Sequence, residues 1–392
     1  MIKWLVGTGL ILTPYMILPQ GDNRSPRMVC AALIALSLSL YALYSKGLKP
    51  FKNKWLLLFI AFLPVSCYFS FPLDARAGGV VFGNYCMLQA CLLYGIFGLM
   101  VIAVSNLDFT QNDMSFILNT AFWCGFVMAC YVLLQAAGLE QFFIPIAGEG
   151  YFFGRLGGTL GNPCLASAFI AMLIPIALYL RRYWQAVLMA LAVCLTWRHV
   201  SIVSMILSLS FYFALRSRRG MIIVILLAVL SIGGIGYGYY ANNKAKAIIN
   251  EVKADSGRIA AWTLTIKDLK DGATIKQDEN IIKIARKPFT GFGPGSFGWL
   301  HNLINGDAFE QAHNEFLEVL SDLGLIGFVL AALALLYVFR VNTHIGIDRQ
   351  RRAILSAFLC SCLIAFGFFI WHIGSTLFYS ALFFGILHKV SN

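Results

Sequence analysis

The sequence predicts an all-α polytopic membrane protein with about twelve transmembrane helices, and three observations carry that prediction. Charged residues make up only 12% of the 392 residues and hydrophobic ones 59%, whereas soluble domains carry roughly 25% charged residues. Apolar runs approaching the ~20 residues that cross a hydrocarbon core recur along the chain, and mean hydropathy is +0.76. Between the runs lie short loops rich in Lys and Arg, the pattern of cytoplasmic connections.

Taken in order, the spans are expected at about 2–19, 28–45, 55–71, 80–104, 115–138, 164–180, 184–197, 200–215, 221–240, 316–339, 353–370 and 373–388. The first stretch, "MIKWLVGTGLILTPYMILPQ", has no small-x-small cleavage site and is long enough to span, so it reads as a helix rather than a signal peptide. Basic loops "KGLKPFKNK" (46–54), "RRYW" (181–184), "RSRRG" (216–220) and "RVNTHIGIDRQRR" (340–352) should share the cytoplasmic face. The segment 185–215 decides the count. As one helix it would place "RRYW" and "RSRRG" on opposite sides. As two short spans turning at Trp197, Arg198 and His199 it keeps both loops inside. Parity then gives twelve spans with both termini cytoplasmic.

The outer segments are 72–79, 139–163, the turn at 198–199, and 241–315. The chain therefore reads as a single integral membrane domain, 1–392, with 241–315 as an extracytoplasmic loop subdomain inserted between spans. Within that loop a helix is expected near 257–270, with Ile259, Trp262, Ile266 and Leu269 on one stripe. The Gly/Pro-rich turn "GFGPGSFG" (291–298) follows. A net charge of +12 would point to nucleic acid in a soluble protein, but here most of the excess lies in loops, where it sets topology. The ten cysteines form no C-x-x-C, and all but Cys164 lie inside apolar segments, so they read as small packing residues.

Four arginines on the outer face have no topological reason to be there: Arg76, Arg155, Arg198 and Arg258. Asp255 or Ser256 can cap the helix that begins near Arg258, which puts this cation in a first turn, against the helix dipole. An anion bound between them resolves that conflict. A histidine's ordinary pKa of about 6.5 suits His313, at the rim of the span 316–339, to accept a proton. Glu315, Glu318 and Asp322 follow it at i, i+3 and i+7, on one helical stripe. Asp322 sits about two turns in, where an ionisable group is costly and usually functional. It has three candidate roles: orienting the histidine, pairing with an arginine, or pairing inside the bundle.

Absences narrow the chemistry. The outer loops contain no D-x-D pair and no His/Cys set at metal spacing. "GFGPGSFG" lacks the Lys-Ser/Thr of a P-loop, so its glycines read as turn residues. Gly324 and Gly327 read as sites of close helix packing. Arginines must then neutralise any anionic substrate, which suits a lipid-linked phosphate donor activated elsewhere.

Four segments, in this order, resemble elements of the O-antigen ligase and polymerase superfamily. "RLGGTLGNPCLASAFIAMLIPIAL" (155–178) resembles its R-x-x-G-T-x-x-N-P segment, and "SGRIAAW" (256–262) its S-x-R-x-x-x-W. "KPFTGFGPGSF" (287–297) resembles P-x-x-G-x-G-x-x-x-F, and "AHNEFLEVLSDLGLIG" (312–327) resembles H-N-x-x-L-E-x-x-x-x-x-G-x-x-G. The chain departs from the pattern at Cys164, where the family has Asn, and at "WRHVS", where Arg198 is matched but its neighbours are not. Arg76 is matched by position in the second outer loop rather than by motif.

The resemblance implies a GT-C-like glycosyltransferase in the bacterial inner membrane, its active site facing the periplasm. It would transfer a glycan from undecaprenyl diphosphate to an acceptor hydroxyl, with inversion and with no metal or other cofactor. The acceptor is a lipid A-core sugar in a ligase, the leading reading, and the next lipid-linked repeat in a polymerase. In an O-linked protein oligosaccharyltransferase it is a Ser or Thr. Under this resemblance His313 is the catalytic residue, and Arg198 and Arg258, with Arg155 and Arg76 behind them, bind diphosphate. Glu318 or Asp322 orients His313. A lipid-linked saccharide transporter is the reading from a different class. It should show two related halves with midplane charges, and the sequence shows neither.

Overall fold

The computed structural model describes residues 2–15, 24–46, 51–70, 85–139, 156–216, 262–263, 265–277, 280–284, 286–297, 312–343 and 347–390. Among these, besides a helical stretch at 265–271, are eleven α-helices: α1 (Ile2–Tyr15), α2 (Arg24–Lys46), α3 (Lys54–Ser70), α4 (Tyr85–Asn106), α5 (Gln111–Ala136), α6 (Pro163–Tyr179), α7 (Tyr183–Leu195), α8 (His199–Ala214), α9 (Glu315–Asn342), α10 (Arg349–Ala365) and α11 (Gly374–Val390). They coincide with eleven of the twelve expected spans. The span expected at 221–240 lies outside the described residues. Three helices, α2, α5 and α9, are by length and composition sufficient to cross a membrane, and α3, α4, α6, α7 and α8 are shorter apolar helices.

The helix starts follow from local chemistry. Thr110 and Asp113 form a capping box at α5. Asn162 caps α6, with Pro163 at its first position, where no N–H is needed. Asp348 accepts the Arg351 N–H at 2.9 Å to open α10. Apolar surface is turned outward as well as inward. Val29, Leu33, Leu36, Leu40 and Leu43 make a stripe along α2, each more than half exposed. In water that patch would be a liability, whereas against hydrocarbon it is the expected surface.

The helices alternate in direction, and their ends sort into two groups. At one end Lys389 pairs with Asp108 at 2.8 Å, Arg349 donates to the Leu178 carbonyl at 2.7 Å, and the Asn53 N–H donates to His388 Nε2 at 3.2 Å. This end carries the described basic residues Lys52, Lys54, Arg181, Arg182, Arg349, Arg351 and Arg352. At the other end Arg27 donates to the Thr159 carbonyl at 2.7 Å and Gln135 Oε1 accepts the Gly158 N–H at 2.8 Å. The helices α6 and α11, buried along nearly their whole length, form the centre. Helix α6 packs on α5, α7, α8 and α10, and α11 on α1, α2, α4 and α10.

Two features depart from expectation. The chain is not purely helical: β1 (Ala273–Gln277) and β2 (Asn280–Ile284) pair antiparallel, with Ala273 opposite Ile284 and Gln277 opposite Asn280. The β-branched residues Thr274, Ile275, Ile281, Ile282 and Ile284 favour that pairing. The second departure is in α9, which breaks at Gly324 (φ 65°, ψ −168°). That backbone region is essentially restricted to glycine, so Gly324 serves the break and not merely close helix packing.

The break frees the groups of two regular helix bonds, the carbonyls of Ser321 and Asp322 and the N–H groups of Leu325 and Ile326. Residues 288–293 replace both bonds. Phe292 and Gly293 donate to the carbonyls of Ser321 and Asp322 at 2.9 and 2.8 Å, while Leu325 and Ile326 donate to Pro288 and Phe289 at 2.8 and 3.1 Å. Ser66 of α3 adds a bond to the Thr290 carbonyl at 3.1 Å. At about 1.5 Å per residue, Gly324 lies about 14 Å along α9 from Glu315. The glycine-rich segment therefore enters the bundle rather than forming a turn on its surface. Such depth is tolerated because each freed backbone group is paired.

Gly291 and Gly324 meet backbone to backbone, and a Cβ on Gly324 would collide with Gly291 N and the Phe289 carbonyl. Gly324→Ala should therefore cost at least the ~1–3 kcal/mol of a forced backbone outlier. The check is the melting temperature of the purified protein in lipid, which should fall clearly below wild type. An unchanged melting temperature would show that α9 runs unbroken.

Candidate functional site

The rim of α9 is built around one peptide. Asn314 caps the helix, its Oδ1 accepting the N–H groups of Phe316 and Leu317 at 3.0 and 3.1 Å. His313, immediately before it, takes φ 52°, a left-handed conformation that is uncommon outside glycine though enriched for histidine. The preceding Ala312 is held on both sides. Its carbonyl accepts Trp262 Nε1–H at 2.8 Å, and its N–H donates to Glu318 Oε2 at 3.3 Å. Phe297, at the end of the glycine-rich segment, packs on Ala312 and Leu317. Three segments distant in sequence thus meet at the residue before His313.

Asp322 ties the glycine-rich segment down. Its carboxylate, fully buried, accepts Gly295 N–H at 2.7 Å, Ser296 Oγ–H at 3.1 Å and Phe297 N–H at 3.3 Å. Tyr94 of α4 donates to it at 3.4 Å. Asp322 acts on the rim through this docked segment, and Glu318 through the Ala312 amide.

Below the rim lies a charged cluster. His372, between α10 and α11, bridges two carboxylates. Its Nε2 meets Glu318 Oε1 at 3.0 Å. Its Nδ1 lies 2.9 Å from Glu315 Oε2, close enough for an ion pair but off the line of a hydrogen bond. Glu315 Oε1 also accepts the Trp371 N–H at 2.5 Å. Burial alone would push the His372 pKa down. Glu315 and then Glu318 outweigh it and hold the ring well above the usual histidine range. A cavity of about 70 Å³ lined by Phe97, Leu377 and Phe384 adjoins His372 and Glu315, so the pair sits in largely apolar surroundings.

The connection 366–373 is the wall shared by both halves of the site. The His313 ring packs on Phe369 and Phe368, with centroids at 4.9 and 5.6 Å, and Phe316 stacks on Phe366 at 4.1 Å. Gly367 lies against Val200 near the start of α8. Arg198, exposed, is the residue that begins α8, next to Trp197 with φ 55°. The tight turn expected at 197–199 is therefore present, and His313 and Arg198 flank one loop. Arg76, Arg155 and Arg258 lie outside the described residues.

Several residues of this rim were not singled out from the sequence. Trp262 was read as part of an apolar stripe and as the end of the S-x-R-x-x-x-W element, without a role, and Glu315 only as one of three carboxylates on a helical stripe. His372 carries the clearest overlooked signal, a histidine inside the apolar run "FFIWHIGSTLF", where an ionisable group needs partners. Arg27, buried and bonded to Thr159, is a second one.

The geometry offers an imidazole at the rim of a helical bundle, an arginine across the shared loop, and buried carboxylates holding the intervening backbone. Among the described residues, no group of three or more His, Cys, Asp and Glu side chains could hold a metal ion. No curated protein matches the chain. Residues 184–332 match the family model described as O-antigen ligase. That span includes Arg198, Arg258, His313, Glu318 and Asp322 and leaves out Arg76, Arg155 and His372. Through this segment the chain is similar to the O-antigen ligase superfamily.

Proposed function

We propose that the protein is a membrane glycosyltransferase that moves a glycan from undecaprenyl diphosphate to an acceptor hydroxyl at the outer face of the bacterial inner membrane. The acceptor we favour is a sugar of the lipid A core. The observation that carries the proposal is the meeting of the 262, 288–297 and 312–324 segments, all within the matched domain, at the peptide before His313.

In this reading His313 takes the proton of the acceptor hydroxyl. The hydroxyl oxygen attacks the anomeric carbon on the side opposite the diphosphate, giving inversion. The bond from that carbon to the diphosphate oxygen breaks, and its electron pair leaves with the diphosphate. Arg198 and Arg258 hold the diphosphate and stabilise the charge that grows on it, with Arg155 and Arg76 as further contacts to phosphate or glycan. Glu318 orients His313 by way of the Ala312 amide, and Asp322 by way of the docked glycine segment. The chain is a single membrane domain of twelve spans with both termini cytoplasmic and 241–315 outside. The gathering of basic connections at the end opposite His313 supports that orientation.

The test is a gel assay of the protein in lipid, given undecaprenyl-diphosphate-linked oligosaccharide with and without lipid A-core. One new band only with lipid A-core is expected. A ladder without added acceptor would make the protein a polymerase, and transfer only to a Ser/Thr acceptor would make it a protein oligosaccharyltransferase. His313→Ala should lower turnover by about 10²–10⁴-fold, the usual worth of a positioned base. Wild-type turnover in a correctly inserted variant would end that assignment. Arg198→Ala should lower kcat/KM by about ten- to a hundredfold, the loss of a charged hydrogen bond. An unchanged value would remove Arg198 from the donor site.

A further inference from the structure

We propose that His372 is a positioning residue for His313: bridging Glu315 and Glu318, it fixes the Glu318 carboxylate against the Ala312 amide and so holds the His313 turn in place. The inference rests on the reading of His313 as the base on the acceptor side.

The two oxygens of Glu318 have separate tasks. Oε1 meets His372 Nε2 at 3.0 Å and Oε2 accepts the Ala312 N–H at 3.3 Å. A carboxylate held at one oxygen has little freedom to rotate at the other, so His372 sets the geometry of the Ala312 bond. The turn needs such a hold, because the left-handed backbone at His313 costs about 1–3 kcal/mol and persists only where its surroundings impose it. The carbonyl side of Ala312 is fixed by Trp262, and its amide side depends on Glu318.

His372 belongs to the same connection as Phe368 and Phe369, which carry the His313 ring. The connection therefore positions His313 twice, through ring packing and through the Glu318 clasp. Among the described residues, the titratable groups facing this clasp are Glu315, Glu318 and Asp322 from α9 and Tyr94 from α4. Asp322 bonds to Tyr94 and to the glycine segment, and among the described residues His372 is the cation between Glu315 and Glu318.

A purely architectural role would move stability and leave turnover per folded molecule alone. A positioning role lowers kcat and spares KM for the donor, because the proposed phosphate-holding arginines are not part of the clasp. The experiment compares wild type, His372→Ala, Glu318→Ala, Glu318→Gln and His313→Ala in lipid, each checked for insertion and melting temperature. The donor is undecaprenyl-diphosphate-linked oligosaccharide.

His372→Ala and Glu318→Ala should each lose about ten- to a hundredfold in kcat with donor KM within about twofold of wild type. Glu318→Gln should recover only part of what Glu318→Ala loses, since its single amide oxygen can accept the Ala312 N–H or meet His372 but not both. Wild-type kcat in folded His372→Ala or Glu318→Ala overturns the proposal, as does a Gln variant with wild-type kcat. Where His372→Ala fails to insert, the Glu318 pair decides. Wild-type turnover in His313→Ala sinks the underlying site reading. An inactive His313→Ala beside a fully active His372→Ala sinks this inference alone.

Discussion

The arrangement of the rim depends on two missing hydrogen bonds. A helix that breaks at Gly324 leaves the carbonyls of Ser321 and Asp322 and the amides of Leu325 and Ile326 without their regular partners, beside an apolar surface where Phe289, Leu325 and Ile326 are exposed. Hydrocarbon offers no replacement. Residues 288–293 supply all four, which fixes where the glycine-rich segment must run. Once it runs there, Gly295 and Phe297 fall on the Asp322 carboxylate and the Phe297 ring falls on Ala312. The position of His313 is thus determined from about 14 Å away by a backbone requirement.

The charges obey the same logic of satisfaction. Glu315, Glu318 and Asp322 are nearly or fully inaccessible, and a buried carboxylate without partners is far costlier than one that is paired. Asp322 is satisfied by neutral donors, two amides and two hydroxyls. Glu315 and Glu318 share the one imidazole of His372. The difference matters because neutral donors hold a segment of chain, whereas a shared cation holds two helical elements together. The first anchors the 295–297 backbone to α9, and the second joins α9 to the connection between α10 and α11.

Much of the helical frame was legible in the sequence because apolar length and basic loops are one-dimensional signals. The turn at Trp197 and Arg198 followed from the sidedness of "RRYW" and "RSRRG", and the boundaries of α6, α7 and α8 lie close to those read from hydropathy. The motif residues were legible too, but as a set without geometry. Nothing in "GFGPGSFG" says that it pairs with a helix break, because the partner, Gly324, lies 26 or more residues away in a stretch that reads as continuous helix. The hairpin at 273–284 is short and flanked by charge, so its alternation was submerged in a loop. His372 was overlooked because its partners come from another span, and pairing across spans leaves no local pattern.

The connection 366–373 settles how the two halves of the site can be related. On one side it carries the His313 ring through Phe368 and Phe369, and on the other Gly367 receives Val200 of α8, two residues beyond Arg198. A side chain at Gly367 would press on Val200, so the close approach of α8 requires glycine there. The same short loop therefore meets the His313 ring on one side and the start of α8, near Arg198, on the other. That loop is anchored at its far end by the contacts of Trp371 and His372 with Glu315. A displacement of the anchor would shift both flanks together, whereas a change within α8 would move the arginine side alone. In the proposed reaction, the distance between base and diphosphate ligand is set by this loop together with the packing of α8 on α6 and α10.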